Sequence, residues 1–393
     1  MKYLSILLLF IPGLFSCNDN TSSETGGPQQ KLFLEVVDSI IVDELEPLVI
    51  DDYLEEGDKF LMRGNKSRKP YLVAGDGEIL KTFEILNEGP DGLGANGAFG
   101  YGFLNEAEWV AQGLFNGYHV YDMSGNKLKI LDPIHIAIYA MSMYSYRTLF
   151  TGFTKDGARM LIGQEQNLFN PDSIGEEARQ TAEYYDRVKT VFAYGVDNGV
   201  LELLETYPDE WEPKKSHKMV GQSQPIVAFH RGKQELALLP VFGNQLFVYD
   251  YSGEVPELRH VTQLRHRYRP EKIPEQLSGV NGYSSYPGFT DLRYVGENLL
   301  VEFKTRIPED IVNELRASSE QYYNSPAYRE AMETFSKPYY LWVVEGNQAG
   351  VLDGLPVHGA LDLADENGLV YVNDNLAPAI ERDYNIFYRL KFK

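Results

Sequence analysis

From residue 31 to the end, the chain repeats one pattern. A short apolar or alternating run leads into a Gly- and Asx-containing turn, and a second such run follows. Runs 71–74 and 78–83 flank Gly75-Asp76-Gly77, and runs 117–122 and 127–130 flank Ser124-Gly125-Asn126. Runs 192–196 and 200–204 flank Asp197-Asn198-Gly199, while 246–251 and 339–344 lead into Ser252-Gly253-Glu254 and Gly346-Asn347. Turns of this kind between alternating runs are the strongest short-range hairpin signal. A second strand pair goes with each hairpin: 99–104 with 109–113, 146–153 with 158–163, 226–230 with 235–240, 290–295 with 298–304, and 361–364 with 369–373.

Four strands per unit, repeated along the chain, predict the blades of a β-propeller. The blades fall at 44–86, 98–131, 145–205, 226–262, 288–354 and 357–392. The last has only three strands, ending in 384–392, and 32–37 from the other end completes it. Such closure removes the open sheet edges that invite aggregation. The expected fold is all-β, a six-bladed β-propeller forming one domain over 31–393, with seven or eight shorter blades as the alternative count. The 27 Tyr, 20 Phe, 35 Gly and 20 Pro suit short strands joined by tight turns.

Two stretches leave this rhythm. In 170–188, Ile174, Ala178, Thr181, Tyr185 and Val188 recur at helical spacing, and Ser173 with Glu176 resembles a capping box. In 307–335 the apolar spacing and Ser325-Pro326 predict two helices, the second capped by Ser325. Both inserts fall between the second and third strands of their blades. They therefore belong on one face, as a lid over a channel mouth or as simple rim packing.

The N-terminus carries an address. Residues 1–16 hold one lysine and an apolar run too short to span a bilayer comfortably, which takes about 20 apolar residues. Leu14-Phe15-Ser16-Cys17 resembles the lipobox of bacterial lipoproteins. On that reading 1–16 is a signal peptide and Cys17, the chain's one cysteine, is the lipidation site. The mature chain then has no free thiol for a disulfide, a thiolate metal site or a nucleophile. Residues 17–30, polar and rich in Ser, Thr, Asn and Gly, form a flexible tether. Asn18, not aspartate, follows the cysteine, and by resemblance this favours the outer membrane.

With 57 Asp and Glu against 36 Lys and Arg, the formal charge is -21. This disfavours nucleic acid and broad contact with anionic lipid, and it leaves the lipid anchor to hold the membrane. The seven histidines show no helical i, i+4 zinc pairing. Asp51-Asp52 and Glu55-Glu56 lack calcium-loop spacing and read as an exposed acidic loop. The basic run from Arg259 to Arg269, with His260 and His266, reads as a solvated loop; binding of an acidic group is the alternative. No Gly-x-Ser-x-Gly elbow is present. Asn87-Glu88-Gly89-Pro90-Asp91-Gly92 forms a tight inter-blade loop, and a phosphate cradle there would need a following helix that the pattern does not supply. No cofactor, metal site or catalytic residue follows from the sequence.

Asn87-Glu88-Gly89-Pro90 is similar to the Gly-x-Gly-Pro turns of TolB-like and NHL-like six-bladed propellers. With the lipobox, the propeller rhythm and the C-terminal run Glu381 to Leu390, the chain resembles a family of propeller lipoproteins of Gram-negative bacteria. That resemblance implies a TolB-like propeller in the cell envelope and transfers no active residue. The expected role is a membrane-anchored binding or scaffold protein for a glycan, a peptide or an envelope protein. Tyr184, Tyr185, Tyr322 and Tyr323 in the inserts are its candidate contacts, or else packing residues. The rival expectation is a propeller-type hydrolase or lyase with carboxylates or a metal at the channel mouth.

Overall fold

The computed structural model describes residues 30–84, 88–89, 92–94, 97–113, 116–132, 134, 148–273, 284–377 and 380–393. Cys17, the tether up to residue 29 and, within the Asn87–Gly92 loop, residues 87, 90 and 91 lie outside the described residues. Six four-stranded antiparallel sheets form six blades: 48–82, 98–131, 150–204, 226–263, 289–352, and 360–392 with the N-terminal strand. The innermost strands are Leu48–Leu54, Ala98–Phe103, Phe150–Lys155, Ile226–His230, Phe289–Val295 and Ala360–Ala364. They follow one another around an axis, and that of blade 6 returns to pack beside that of blade 1.

Each sheet is covered on both faces, which explains why several inner runs are apolar throughout. In the strand Lys59–Gly64, Phe60 and Met62 face the gap between blades 6 and 1, and Leu61 faces the gap between blades 1 and 2. Alternate residues of a strand point to opposite faces, so a doubly covered strand needs both sets apolar. Each of the six gaps holds one buried cluster. The gap between blades 1 and 2 centres on Trp109, stacked on Tyr121 at 4.4 Å and edge-on to Tyr101 at 5.7 Å. Each large side chain so buried contributes roughly 1.5–3 kcal/mol.

The ring closes as expected, through a longer strand. Leu34–Val42 pairs with Asn385–Phe392, with Leu34 opposite Phe392 and Val42 opposite Asn385. Neighbouring blades are also clamped at their outer turns by a side-chain donor reaching a carbonyl of the next blade. Lys81 Nζ donates to Ser124 O at 2.7 Å, Lys129 Nζ to Val196 O at 2.6 Å, and Lys155 Nζ to Gly253 O at 2.5 Å. Thr262 Oγ1 donates to Gly346 O at 2.7 Å, and Arg389 Nη2 donates to Gly75 O at 2.8 Å across the closure. Gly77, at φ 98°, is needed there because a Cβ would lie 2.0 Å from Ile41 O.

Both inserts leave from between the second and third strands, on one face. The first contains a 3-10 turn (Pro171–Ile174) and two short helices, α1 (Gly175–Arg179) and α2 (Glu183–Arg187), where one helix was expected. Its cap is not Ser173: Asn170 Oδ1 accepts from Asp172 N, and Ser173 Oγ turns back to Asn170 O. A further turn of helix, α3 (Glu212–Lys215), joins blades 3 and 4. The second insert holds α4 (Glu309–Ser318) and α5 (Pro326–Phe335), with Ser325 Oγ capping α5 at Tyr328 N as expected. Ile307, Val312 and Ala331 form a small core of its own, apart from the six between blades.

Asn385 locks the closing blade to the first. Its Oδ1 accepts from Leu48 N at 2.8 Å, and its Nδ2 donates to Glu44 O at 2.7 Å and Glu46 O at 3.0 Å. Asn385→Ala leaves one buried N–H and two carbonyls unpaired. It is expected to destabilise the protein by about 2–4 kcal/mol, read from urea unfolding; a midpoint equal to wild type would contradict this role.

Candidate functional site: the axial cavity

An innermost strand has a partner on one side only, so its other edge presents unpaired backbone groups to the axis. Carboxylates of adjacent blades meet part of that need. Asp362 Oδ2, in blade 6, accepts from Ile50 N of blade 1 at 2.7 Å. Asp51 and Asp52, in blade 1, accept from Tyr101 N at 3.2 Å and Phe103 N at 2.8 Å of blade 2. Both of these acceptor strands are bulged where the carboxylates sit: the register shifts between Ile50 and Asp52 and between Leu361 and Leu363. An extra residue in the strand re-aims its side chain and breaks the alternation.

Asp51 also receives a two-pronged bond from Arg63, with Nε to Oδ2 at 2.8 Å and Nη2 to Oδ1 at 3.1 Å, both side chains fully buried. Burial pushes the Asp51 carboxyl up, and Arg63 offsets part of that. Burial opposes the Arg63 charge too, yet Asp51 holds the guanidinium above its ordinary value. The paired, parallel bonds are the geometry of an ionised pair.

Arg231, in the first turn of blade 4, crosses the axis. Its Nη2 meets Asp52 Oδ2 of blade 1, its Nη1 donates to Tyr53 O at 3.2 Å, and its Nε donates to Gly152 O of blade 3 at 2.9 Å. Its own N–H and that of Gly232 donate to Glu366 of blade 6, at 2.7 and 3.3 Å. Four blades thus meet around one arginine. Burial opposes its charge, and Asp52, Glu366 and Glu56 more than offset this, holding it above its ordinary value. Gly152 is required here: a Cβ would lie 2.4 Å from Phe103 O.

A cavity of about 430 Å³ runs from mid-strand residues Asp51 and Asp362 to the turn residues Glu55, Glu56, Glu366 and Asn367. That size is within the range of small-molecule sites, about 300–1,000 Å³. Seven carboxylates line it against two guanidinium groups, Arg231 and Arg293, and Arg293 is itself paired with Asp291 at 2.6 Å. Tyr53, Phe150, Phe229 and Tyr294 supply apolar wall. Among the described residues, no group of three or more His, Cys, Asp or Glu is placed to hold a metal ion.

The acidic segment is therefore not the exposed loop expected from sequence. Asp51 and Asp52 are buried or half-buried within the innermost strand, and only Glu55 and Glu56 are exposed. The signal that finds them is an aspartate set among apolar residues of an innermost strand, which recurs at Asp51, Asp291 and Asp362. The basic run is not a solvated loop throughout either. Arg269 is buried against Phe289 at 3.7 Å and donates to Asn244 Oδ1 and Gly243 O. Burial without a carboxylate lowers it to about 10.

The four candidate tyrosines are not brought together. Tyr184 and Tyr185 are 4 % and 2 % exposed. Tyr185 packs on Tyr207 and Trp211, both at 4.8 Å, and bonds Gly221 O and Val220 N through its hydroxyl. Their ring faces are packed in the core between blades 3 and 4. Tyr322 is half-buried against Tyr328 in the α4–α5 arm, and Tyr323 is 55 % exposed. Successive turns of an antiparallel sheet alternate between its two ends. Both inserts thus lie at the end opposite the turns of Arg231, Glu55 and Glu366, and they do not cover this cavity mouth.

The fold recurs in solved structures. A member of the DUF4221 family from Bacteroides vulgatus ATCC 8482 superposes with a TM-score of 0.65 at 13 % identity, over 93 % of this chain and 99 % of the other. A protein of Bacteroides fragilis NCTC 9343, inferred to be exported, does so at 0.52 and 8 % identity, over 92 % and 96 %. At these identities the likeness is one of fold. No protein-family model matches the sequence, and no curated protein is detectably similar to it.

Asp362 is fully buried, and burial raises its carboxyl to about 7, only partly offset by Ile50 N–H, Arg293 and Asn373. A carboxyl raised on folding stabilises fully below its unfolded value near 3.8, and that contribution is lost as pH rises through about 7. Asp362→Asn keeps an acceptor for Ile50 N without the charge. Relative to wild type it is expected to gain stability between pH 4 and pH 8, by a few kcal/mol at most, since each tenfold change in proton affinity on folding is worth about 1.4 kcal/mol. Parallel stability curves for the two proteins over that range would overturn the assignment.

Proposed function

We propose that this protein is a lipid-anchored binding protein of the cell envelope and that the axial cavity is its recognition site. The observation that carries this is the engagement of the cavity's charged groups. Asp51, Asp52, Arg231, Arg293 and Glu366 are all bound to protein partners, so the walls form a fixed, preorganised receptor. Such groups hold shape and charge in place.

The envelope location rests on the lipobox-like Leu14–Cys17 run and the polar tether, and the TolB-like kinship rests on the turn and C-terminal residues. Among the described residues no helix is long and apolar enough to cross a membrane. The B. fragilis neighbour, inferred to be exported, agrees with this location. Exposed Tyr323 on the α4–α5 arm offers a second contact point, suited to a glycan or a peptide.

Cys17→Ser is expected to move the protein from the membrane fraction to the soluble fraction, or to leave the signal peptide uncleaved. Membrane retention with normal processing would remove the anchor. For the binding role, a thermal-shift screen of residues 18–393 against sugars, amino acids, amines and short peptides is expected to yield a stabilising compound. That stabilisation should disappear in Glu55→Gln/Glu56→Gln. A screen without hits, together with envelope partners unchanged in Tyr323→Ala and in the double variant, would reject a binding protein.

A further inference from the structure

The class of ligand can be read from which groups of the cavity wall remain unengaged. Asp365 accepts from Tyr371 Oη at 2.7 Å and from two backbone N–H groups, and Glu366 caps the Arg231–Gly232 turn. What is left among the carboxylates is Glu55 and Glu56, exposed at the mouth, and one buried oxygen, with the buried hydroxyl of Tyr294 also unpartnered on the wall. Asp362 is 2 % exposed, lines the cavity, and its Oδ1 has no hydrogen-bond partner. A buried carboxylate oxygen left unpaired costs about 1–3 kcal/mol or more, and a donor seated against it recovers that cost.

Four features of the wall narrow the donor. Both lining guanidinium groups are already paired with carboxylates, and carboxylates outnumber them, so an anion is disfavoured and a cation favoured. One free buried carboxylate oxygen suits a compact ammonium, whereas a guanidinium pairs best with both oxygens of a carboxylate. The aromatic walls at Tyr53, Phe150, Phe229 and Tyr294 suit an apolar stem and attract a cation to their faces. No metal-binding group of side chains lies among the described residues.

We propose that the cavity takes a primary alkylammonium ligand, which passes Glu55 and Glu56 and seats its charged head against Asp362 Oδ1. This rests on the binding-protein reading above and names its ligand class. Oδ1 is shielded from bulk solvent, which strengthens its pairing with a donor that reaches it. The groups acting on Asp362 are Arg293, Asp51 and Arg63. An approaching ammonium adds a cation on the open side, where none of these pairs with Oδ1.

The test is calorimetric titration of residues 18–393 with 1,5-diaminopentane, with 1,5-pentanediol as the neutral counterpart and with a capped glycyl-lysyl-glycine. The diamine or the peptide is expected to bind at one saturable site and the diol not at all; whichever amine binds identifies a free polyamine or a lysine side chain as the source. Binding should tighten from pH 6 to pH 8 as Asp362 ionises, while the ammonium stays charged. Asp362→Asn should weaken it by about tenfold or more, the size of one lost charged hydrogen bond. Glu55→Gln/Glu56→Gln, both at exposed positions, should weaken it less and flatten its salt dependence.

Equal binding of the diol, no amine binding, or amine binding unchanged in an Asp362→Asn protein at least as stable as wild type would overturn the proposal. If the amines fail while another compound stabilises the protein and loses its effect in the mouth variant, the ligand class is wrong and the binding role stands.

Discussion

A propeller has one recurring electrostatic problem: the innermost strand of every blade turns an unpaired backbone edge toward the axis. Water can satisfy that edge only if the channel is wide, and six blades leave little room. In this chain, aspartates of one blade accept the N–H groups of the next: Asp362 from Ile50, Asp51 from Tyr101, Asp52 from Phe103. Each such bond does two jobs at once. It spares a buried donor from going unpaired and it fixes the angle between adjacent blades. Carboxylates placed there carry charge into a region with few counter-ions, so they in turn demand Arg63 and Arg231. The arginine across the axis follows from the strand edges, and the cavity shape follows from the arginine.

The outer rim meets the opposite need. There the sheets diverge, and the gaps between them would open to water beyond the clusters of buried side chains. Lysines at positions 81, 129 and 155, Thr262 and Arg389 reach the turn carbonyls of the next blade. These bonds are individually worth about 1 kcal/mol. Repeated around the ring they oppose splaying where packing is thinnest. A chain with one cysteine, lying outside the described residues, holds its ring by these bonds and by burial.

The strand rhythm was legible because hairpin turns are local: glycine and asparagine at fixed spacing announce each reversal whatever lies elsewhere. The ring and its N-terminal closing strand were legible by counting strands, since a blade with three needs a fourth. The central site was not legible in the same way. Asp51 and Asp52 beside Glu55 and Glu56 look like one acidic patch in a linear reading. The bulge after Ile50 divides them, sending two carboxylates into the ring and leaving two at its mouth. Arg231 gave no sign either, because its partners lie 79 and 179 positions away. The tyrosine pairs were open between two readings for a related reason. Adjacent aromatics mark a surface or a core equally well, and Tyr185 packs on Tyr207 and Trp211, partners supplied only by the folded link between blades 3 and 4, while Tyr184 packs on Phe169 and Tyr185.

The inserts and the cavity, at opposite ends of the ring, separate two tasks that a lid would have joined. An arm with its own small core can change its contacts without disturbing the axis, since Ile307, Val312 and Ala331 pack among themselves. The cavity end has no such freedom: displacing Arg231 would release bonds to Asp52, Tyr53 and Gly152 at once and uncouple its turn from Glu366. Rigidity at the axis fits the proposed binding role, since a preformed pocket needs little ordering on binding and leaves selectivity to charge complementarity. The oxygen of Asp362 that the fold leaves unpaired is then a point on the cavity wall where the ring has stability still to gain, and a ligand that donates to it shares in that gain.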